Sequence, residues 1–587
     1  MRSLRLGVAA ASVLTVLAGA QSAPPFRTLN DRFTPREYAS LAEWQPRAAY
    51  LREHILASAG LLPMPEKAPL RAQVFGERRH GDYSVFKVYF ESLPGFYVTG
   101  NLYRPAGAGP FPAILSPHGH WAYGRLENTD INSGPGRAIN LARQGFVVFT
   151  HDMIGYNDSR QLTHEFGGTR ENLWGLSLSG LQLWNSIRSV DFLESLPEVD
   201  RTRMGCTGES GGGTQTFLLA AVDDRIKVAA PVNMISLHMQ GGCLCENPPG
   251  LRVDTNNVEL SALIAPRPLL MVSATGDWTN ETLQVEYPAM QRFYRLFGAE
   301  NRVEAVQFQA PHNYNRDSRQ AVYGWMARWL QNAAADVRVA ERSFTPDRPG
   351  DLLAFEGRAM PDGALTAAQL TDAWIAAATR QIATSSPEIL RSALLHALAF
   401  ERHTNTGVLR TFRSASSKGA VKQTVVLASE NLDVQAALVR AGFVVKPVRA
   451  TPFDAEAAAK IAHFDTYNRT AASRRVADIV HALDENPGAM LVADGEFGLP
   501  ALLALAVSPA ARAVVDVAQF DNASDQAFID RLYIPGIRRA GDLQTAIGMT
   551  SGVVVIHNAG DRFTLTSAHI EPRTLTPAQI ASALLQK

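Results

Sequence analysis

The chain has 587 residues, of which 46% are hydrophobic and 19% are charged. A chain of this length is too long to fold around one hydrophobic core, so two domains are expected. The 56 basic and 56 acidic side chains give a formal net charge of zero, which provides no electrostatic basis for binding nucleic acid or an anionic membrane.

The first 20 residues have the pattern of an export signal. Two arginines precede the apolar run 6–17, and small residues then lead to a cleavage site after Ala20. A membrane anchor is the alternative, but it needs about 20 uninterrupted apolar residues, and Gln21 ends this run early. We therefore expect the mature protein to be periplasmic or extracellular, and no later segment is long and apolar enough to span a bilayer.

Short apolar strands alternate with helices from about residue 83 to residue 330. The segments 86–90 and 97–103, broken by Pro94 and Gly95, predict an antiparallel hairpin. Apolar strands separated by helices then predict a parallel sheet covered on both faces. The predicted strands are 112–116, 146–151, 204–207, 228–232, 269–273 and 303–308, and predicted helices include 138–143, 179–194, 213–221 and 288–296.

The motif Gly-Glu-Ser-Gly-Gly at 208–212 is the one G-x-S-x-G of the chain, and it lies between a predicted strand and a predicted helix. A serine nucleophile needs such a tight turn, and the flanking glycines lack the Cβ atoms that would clash there. The N-terminal dipole of the following helix also stabilises negative charge. An ordinary glycine turn is the alternative, but this position predicts Ser210 as the nucleophile.

A serine hydroxyl needs a base to take its proton and an acid to hold that base. In the predicted fold the acid follows the serine, and the histidine follows the acid. Asp277 lies in the turn after strand 269–273, and His312 lies in the loop after strand 303–308. Each residue alone could be structural, Asp277 as a helix cap and His312 as a bridge between loop backbones. Their joint order predicts the triad of Ser210, Asp277 and His312.

The oxyanion of an ester's tetrahedral intermediate needs hydrogen-bond donors, each worth about 3 kcal/mol. We assign the amides of Gly211, directly after the nucleophile, and His120, in the turn after strand 112–116. A metal site built on His118 and His120 is the alternative, but it lacks a clear set of further ligands. Trp121 and Trp278 are predicted to contact substrate, for example by stacking on a sugar, with a place in the hydrophobic core as the alternative. The proposed chemistry requires neither a metal nor a cofactor.

The three cysteines leave at least one thiol unpaired. Cys243 and Cys245 could form a strained local disulfide or remain two free thiols. A metal site is disfavoured because no second Cys/His pair follows at ligand spacing. The role and redox state of these two residues and of Cys206 stay open.

Five segments of the first half carry a family resemblance. They are 94–105, the Ser-Pro-His-Gly-His-Trp turn at 116–121, the serine motif, Gly-Asp-Trp at 276–278 and Pro-His-Asn-Tyr-Asn at 311–315. Together they resemble the bacterial acetyl xylan esterase-like and dienelactone hydrolase-like branch of the α/β hydrolases. The resemblance implies that fold, ester hydrolysis, and an oxyanion hydrogen bond from the residue after the His-Gly pair, here His120. Glu209, before the serine, departs from the usual pattern of the branch.

The C-terminal half repeats the order of the first half. The segment 438–445 is similar to 141–148, and Asp-Gly-Glu-Phe-Gly at 494–498 matches Thr-Gly-Glu-Ser-Gly at 207–211. Phe497 thus replaces the serine, Asp561 follows a strand as Asp277 does, and the only later histidine, His569, has different surroundings. Coincidence is the alternative, since Gly-Phe-Val-Val strands are common. We predict a catalytic α/β-hydrolase domain at 21–340 and a degenerate, non-catalytic α/β-hydrolase-like domain at 341–587.

The predicted function is a secreted serine esterase that forms an acyl-enzyme on Ser210. The resemblance implies a carbohydrate ester, such as acetylated plant polysaccharide, as substrate. A serine peptidase of the prolyl-oligopeptidase-like type would use the same triad, but the N-terminal segment is too short for a propeller. A non-catalytic glycan-binding protein is the third possibility. The acyl and alcohol groups, the task of the C-terminal domain and the oligomeric state stay open.

Overall fold

The computed structural model describes residues 26–401, 423–566 and 568–586. The predicted export signal at 1–20 lies outside the described residues. Within the described ranges, no helix has both the length and the apolar character needed to cross a bilayer.

Nine strands form the first sheet. They are β1 (Gln73–Arg79), β2 (Tyr83–Leu93), β3 (Phe96–Pro105), β4 (Phe111–Leu115), β5 (Val147–His151), β6 (Val199–Glu209), β7 (Ile226–Val232), β8 (Leu269–Gly276) and β9 (Val303–Pro311). Their order is β1-β2-β3-β5-β4-β6-β7-β8-β9. The pairs β1–β2, β2–β3 and β3–β5 are antiparallel, and all later pairs are parallel.

Both faces of this sheet are covered. Along β4, Ala113 and Leu115 belong to one hydrophobic cluster and Ile114 to another, because successive side chains of a strand point to opposite faces. Each of these three residues is fully buried. The continuous apolar runs therefore fill two cores, as expected for a parallel sheet between helical layers.

The second sheet has six parallel strands. They are β10 (Thr424–Ala428), β11 (Val444–Pro447), β12 (Met490–Ala493), β13 (Arg512–Asp516), β14 (Val553–His557) and β15 (His569–Ile570). Their order, β11-β10-β12-β13-β14-β15, repeats the order β5-β4-β6-β7-β8-β9 of the first sheet. The fold prediction, an α/β-hydrolase followed by a second sheet of the same kind, is confirmed. The division at residue 340 stays a prediction.

Nineteen helices connect and cover the described strands. They are α1 (Leu41–Ser58), α2 (Gly134–Arg143), α3 (Thr169–Leu173), α4 (Leu178–Ser195), α5 (Gly211–Val222), α6 (Asn257–Ala262), α7 (Glu286–Leu296), α8 (Arg316–Leu330), α9 (Pro349–Leu352), α10 (Ala367–Thr384), α11 (Pro387–Ala397), α12 (Leu432–Arg440), α13 (Ala455–Ala459), α14 (Phe464–Tyr467), α15 (Ala471–Glu485), α16 (Gly498–Val507), α17 (Asp525–Arg531), α18 (Asp542–Met549) and α19 (Pro577–Leu585).

The largest differences from the sequence prediction are at β1 and β6, whereas other strands, among them β2, β8 and β9, only extend by up to three residues at an end. β1 was not predicted, because it lies at the sheet edge, where its mostly exposed residues lack an apolar pattern. β6 begins at Val199 rather than at residue 204, since the polar residues 200–203 extend the strand beyond its buried part. Neither difference moves the loops that follow β4, β6, β8 and β9, which carry the predicted site.

Candidate active site

Ser210 lies at a strained turn between β6 and α5. Its backbone has φ 56° and ψ −123°, a conformation that costs energy for any residue with a Cβ atom. Gly208 permits the turn, because a Cβ there would lie 2.4 Å from the carbonyl oxygen of Pro117. Strain at a serine between a strand and a helix is the geometry that exposes a nucleophilic hydroxyl.

Asp277 and His312 form a hydrogen-bonded pair after β8 and β9. His312 Nδ1 lies 2.8 Å from Asp277 Oδ2, and the Asp277 side chain is 2% exposed. Asp277 Oδ1 accepts from the amide of Thr279 at 2.7 Å, so the carboxylate also stabilises the turn at 277–279. His312 Nε2 is buried and has no hydrogen-bond partner. With Nδ1 committed to the carboxylate, Nε2 is the nitrogen that can accept a proton.

Two indole rings enclose the imidazole of His312. The ring of Trp278 lies 4.4 Å from it between centroids, and that of Trp121 lies 6.2 Å away and nearly parallel. Trp121 also donates through Nε1 to Glu209, the residue before Ser210, at 2.7 Å. These contacts place His312 beside the serine turn, although no hydrogen bond joins Ser210 Oγ to His312 Nε2. The predicted contact of both tryptophans with substrate stays a prediction.

The two assigned oxyanion donors lie on either side of the serine turn. Gly211 is the first residue of α5, and His120 follows the loop after β4. Within the described ranges, neither backbone amide donates to a protein acceptor. Gly119 lies against Ser210, since a Cβ added there would be 3.0 Å from the Ser210 Cβ. Two unpaired amides beside a nucleophile can stabilise a developing oxyanion.

Glu209 anchors the turn at 116–121, which we call the oxyanion turn, from inside the protein. Its Oε1 accepts from the Gly119 amide at 3.1 Å and from Trp121, and its Oε2 accepts from Arg137 at 3.0 Å. Both side chains of the ion pair are almost completely buried, at 0% and 1% exposure. Arg137 also donates to Ser116 Oγ at 2.9 Å. The sequence marked Glu209 only as a departure from a pattern and gave no sign of this anchoring role.

Glu209→Gln is expected to lower the free energy of unfolding by about 3–5 kcal/mol, because the change leaves the buried Arg137 without a counter-ion. Urea denaturation followed by circular dichroism measures this loss. Glu77→Gln is the matched control, since Glu77 pairs with the exposed Arg79 and should show no change. Equal unfolding midpoints for wild type and Glu209→Gln would contradict the anchoring role.

His118 is a structural residue rather than a metal ligand. Its Nδ1 donates to the Gly119 carbonyl at 2.7 Å, and its Nε2 accepts from the Met153 amide at 2.9 Å. Complete burial lowers its pKa well below the usual value and keeps it neutral. The alternative of a His118–His120 metal pair is therefore wrong, because both ring nitrogens of His118 are occupied.

The cysteines are all free thiols in the described structure. Cys206 lies in the core on β6, where burial raises its pKa to about 12. Cys243 and Cys245 lie in the loop after β7 and meet two histidines, His120 and His164. The ligand atoms of these four residues all lie within 4.8 Å of one another. The cluster has no local spacing motif in the sequence, because both histidines precede the cysteines by about 80 residues or more and lie in other loops.

Residues 76–236 match the family model of acetyl xylan esterase (AXE1). The chain is a carboxylic ester hydrolase. The predicted resemblance to the acetyl xylan esterase-like branch of α/β hydrolases is thereby confirmed. The matched region of the esterase contains β4 to β7, and with them the oxyanion turn and Ser210.

Known proteins are similar to part of the esterase. The "Putative hydrolase YtaP" of Bacillus subtilis is 26% identical over 256 residues, which are 41% of this chain and 84% of the relative. Methylesterase BT1017 is 32% identical, with a TM-score of 0.45, over 50% of this chain and 66% of that structure. A glucuronoyl esterase from Solibacter usitatus is 17% identical, with a TM-score of 0.39, over 51% and 99%.

Proposed function

We propose that the protein is an exported serine esterase that removes acyl groups, foremost acetyl, from plant polysaccharides or related carbohydrate esters. The Asp277–His312 pair carries this proposal, because its free Nε2 lies at the same sheet edge as the strained turn of Ser210. The acetyl xylan esterase model that matches residues 76–236 supports the substrate class.

The residues of the site suit a two-step acyl transfer. Ser210 Oγ attacks the ester carbonyl while His312 Nε2 takes the hydroxyl proton, and Asp277 stabilises the imidazolium. The amides of Gly211 and His120 donate to the oxyanion, and His312 then returns the proton to the leaving alcohol. Water hydrolyses the acyl-enzyme by the same route. We expect substrate binding to bring Ser210 Oγ and His312 Nε2 within hydrogen-bond distance, because catalytic hydrogen bonds often tighten in the substrate complex.

Trp121 and Trp278 give the site a surface suited to a sugar. Both side chains are partly exposed and flank the imidazole on which the chemistry depends. An indole face offers a sugar ring a flat apolar surface on which it can stack. A carbohydrate alcohol as the leaving group fits this arrangement.

We do not place a catalytic triad in the C-terminal half. Phe497, at the position of the serine, is buried and has an ordinary φ of −94°, so the strain found at Ser210 is absent there. Asp561 is exposed and has no ion-pair partner among the described residues. We assign catalysis to the first half and a non-catalytic role to residues 341–587.

The test combines substrates with labelling of the nucleophile. Wild-type protein should release acetate from acetylated xylo-oligosaccharides, leave peptide amides intact, and be labelled by a fluorophosphonate at Ser210. Absence of both acetate release and labelling would overturn the proposal, and faster cleavage of peptide amides would make the protein a peptidase. For export, N-terminal sequencing of the protein from the periplasm or the medium should give a chain that begins at Gln21.

A further inference from the structure

Four side chains of the types that ligate metal ions converge beside the oxyanion turn. His120 comes from the loop after β4, His164 from the loop after β5, and Cys243 with Cys245 from the loop after β7. His120 Nε2 lies 3.1 Å from Cys245 Sγ. Because the three preceding strands are parallel, their following loops meet at one edge of the sheet. The cluster is thus formed by topology, not by a local sequence motif.

His164 offers an electron pair to this cluster. Its Nδ1 donates to the carbonyl oxygen of Ile154 at 2.6 Å, which fixes the tautomer with a bare Nε2. That Nε2 is buried and has no hydrogen-bond partner within the described ranges. A buried acceptor without a donor costs free energy, so the site gains by the binding of a cation there.

The loop that carries the cysteines is held in place before any ligand binds. Glu246 accepts from the amides of Gly242 and Cys243, at 3.0 and 3.2 Å, and from Thr214 Oγ1 on α5 at 3.0 Å. Arg252, fully buried, donates to the carbonyl oxygen of Glu246 at 2.8 Å. A preorganised loop lowers the entropic cost of binding.

We propose that His120, His164, Cys243 and Cys245 bind one Zn²⁺ ion in a closed tetrahedral site. Two imidazoles and two thiolates are a ligand set that Zn²⁺ prefers, and a tetrahedron with ordinary Zn–S and Zn–N bonds has edges of about 3.3–3.8 Å. The observed separations, all within 4.8 Å, need only small side-chain movements to reach it. Binding converts both thiols to thiolates and releases their protons to solvent.

The ion would also fix the oxyanion turn, an effect that rests on the proposed function. The imidazole of His120 lies against Gly211, where an added Cβ would be 2.6 Å from His120 Cε1. The backbone amides of these same two residues are the assigned oxyanion donors. Holding the His120 side chain therefore restrains the distance between the donors, so His164 and the two cysteines act as positioning residues.

Metal analysis tests the site without relying on ester turnover. Protein purified without chelator should contain about one zinc per chain by plasma mass spectrometry. Replacement by Co²⁺ should give the d–d bands of a tetrahedral ion and a thiolate-to-cobalt charge-transfer band. Less than about one tenth of an ion per chain after loading with Zn²⁺ would overturn the proposal. A Cys243–Cys245 disulfide in the non-reduced protein mass would overturn it as well.

Three variants assign the ion to these ligands. The double change Cys243→Ser and Cys245→Ser should abolish zinc binding and the charge-transfer band. Cys206→Ala is the matched control and should keep both, because Cys206 lies in the core away from the cluster. His164→Gln provides a milder second variant and should weaken zinc binding at least tenfold. Unchanged cobalt spectra in the double variant would contradict the assignment.

Kinetics separate the metal site from the triad. Removal of zinc by a chelator should lower kcat about tenfold to a hundredfold with little change in KM, and added Zn²⁺ should restore it. Ser210→Ala should keep a full equivalent of zinc while losing activity. A full equivalent of zinc in an inactive wild type would contradict only the proposed esterase function, whereas an active protein that never binds zinc would contradict only the metal site.

Discussion

Ser210→Ala is expected to lower kcat/KM for acetyl esters by about 10⁴–10⁶-fold, because the change removes the atom that forms the acyl-enzyme. The fold should persist. Alanine keeps the Cβ atom, so the strained conformation at φ 56° costs no more than in the wild type. Residual hydrolysis would come from the amides of Gly211 and His120 and from substrate binding alone.

Initial rates on nitrophenyl acetate and on acetylated xylo-oligosaccharides measure this loss, with thermal unfolding as a check of the fold. Ser195→Ala is the matched control. Ser195 ends α4 and donates only to the carbonyl oxygen of Phe192, so its rates should equal those of the wild type. Equal ester hydrolysis by Ser210→Ala and wild type would show that the nucleophile lies elsewhere.

Asp277→Asn is expected to lower kcat by about 10³–10⁴-fold. The asparagine amide can donate to His312 Nδ1, and that hydrogen bond would favour the tautomer with the proton on Nε2. An imidazole in that form cannot take the serine proton. The turn should survive, because the side-chain oxygen that accepts from the Thr279 amide is retained.

Single-turnover kinetics with Asp277→Asn would place the loss in the acylation step. Asp561→Asn is the matched control, since Asp561 is the exposed counterpart in the second sheet and should change nothing. Unfolding midpoints should agree among all three proteins. A fall in kcat of less than about tenfold would mean that Asp277 only stabilises the turn at 277–279.

The convergence of the three loops that carry Ser210, Asp277 and His312 could be predicted because chain order and strand order agree in this fold, whereas the triad itself stays a prediction. Glycines around Ser210, and the location of Asp277 and His312 after apolar strands, mark three loops at one sheet edge. The repeat in the second half was also visible as three features in matching order, which are the segment 438–445, the motif at 494–498 and Asp561. What these patterns could not show was the packing of Trp121 and Trp278 against the imidazole of His312.

Other features have no sequence signature because their partners are far apart in the chain. Glu209 pairs with Arg137, 72 residues earlier, and only the burial of both shows that the pair anchors the oxyanion turn. The cluster of His120 with Cys245 joins loops 125 residues apart.

The sequence alone determined the parallel sheets, the serine turn and the order of acid and base, because local hydrophobic patterns and glycines specify strands and tight turns. The tertiary structure decided which charges are buried together and which histidines meet the cysteines. Those contacts arise where loops from separate parallel strands converge, and no spacing along the chain records that convergence.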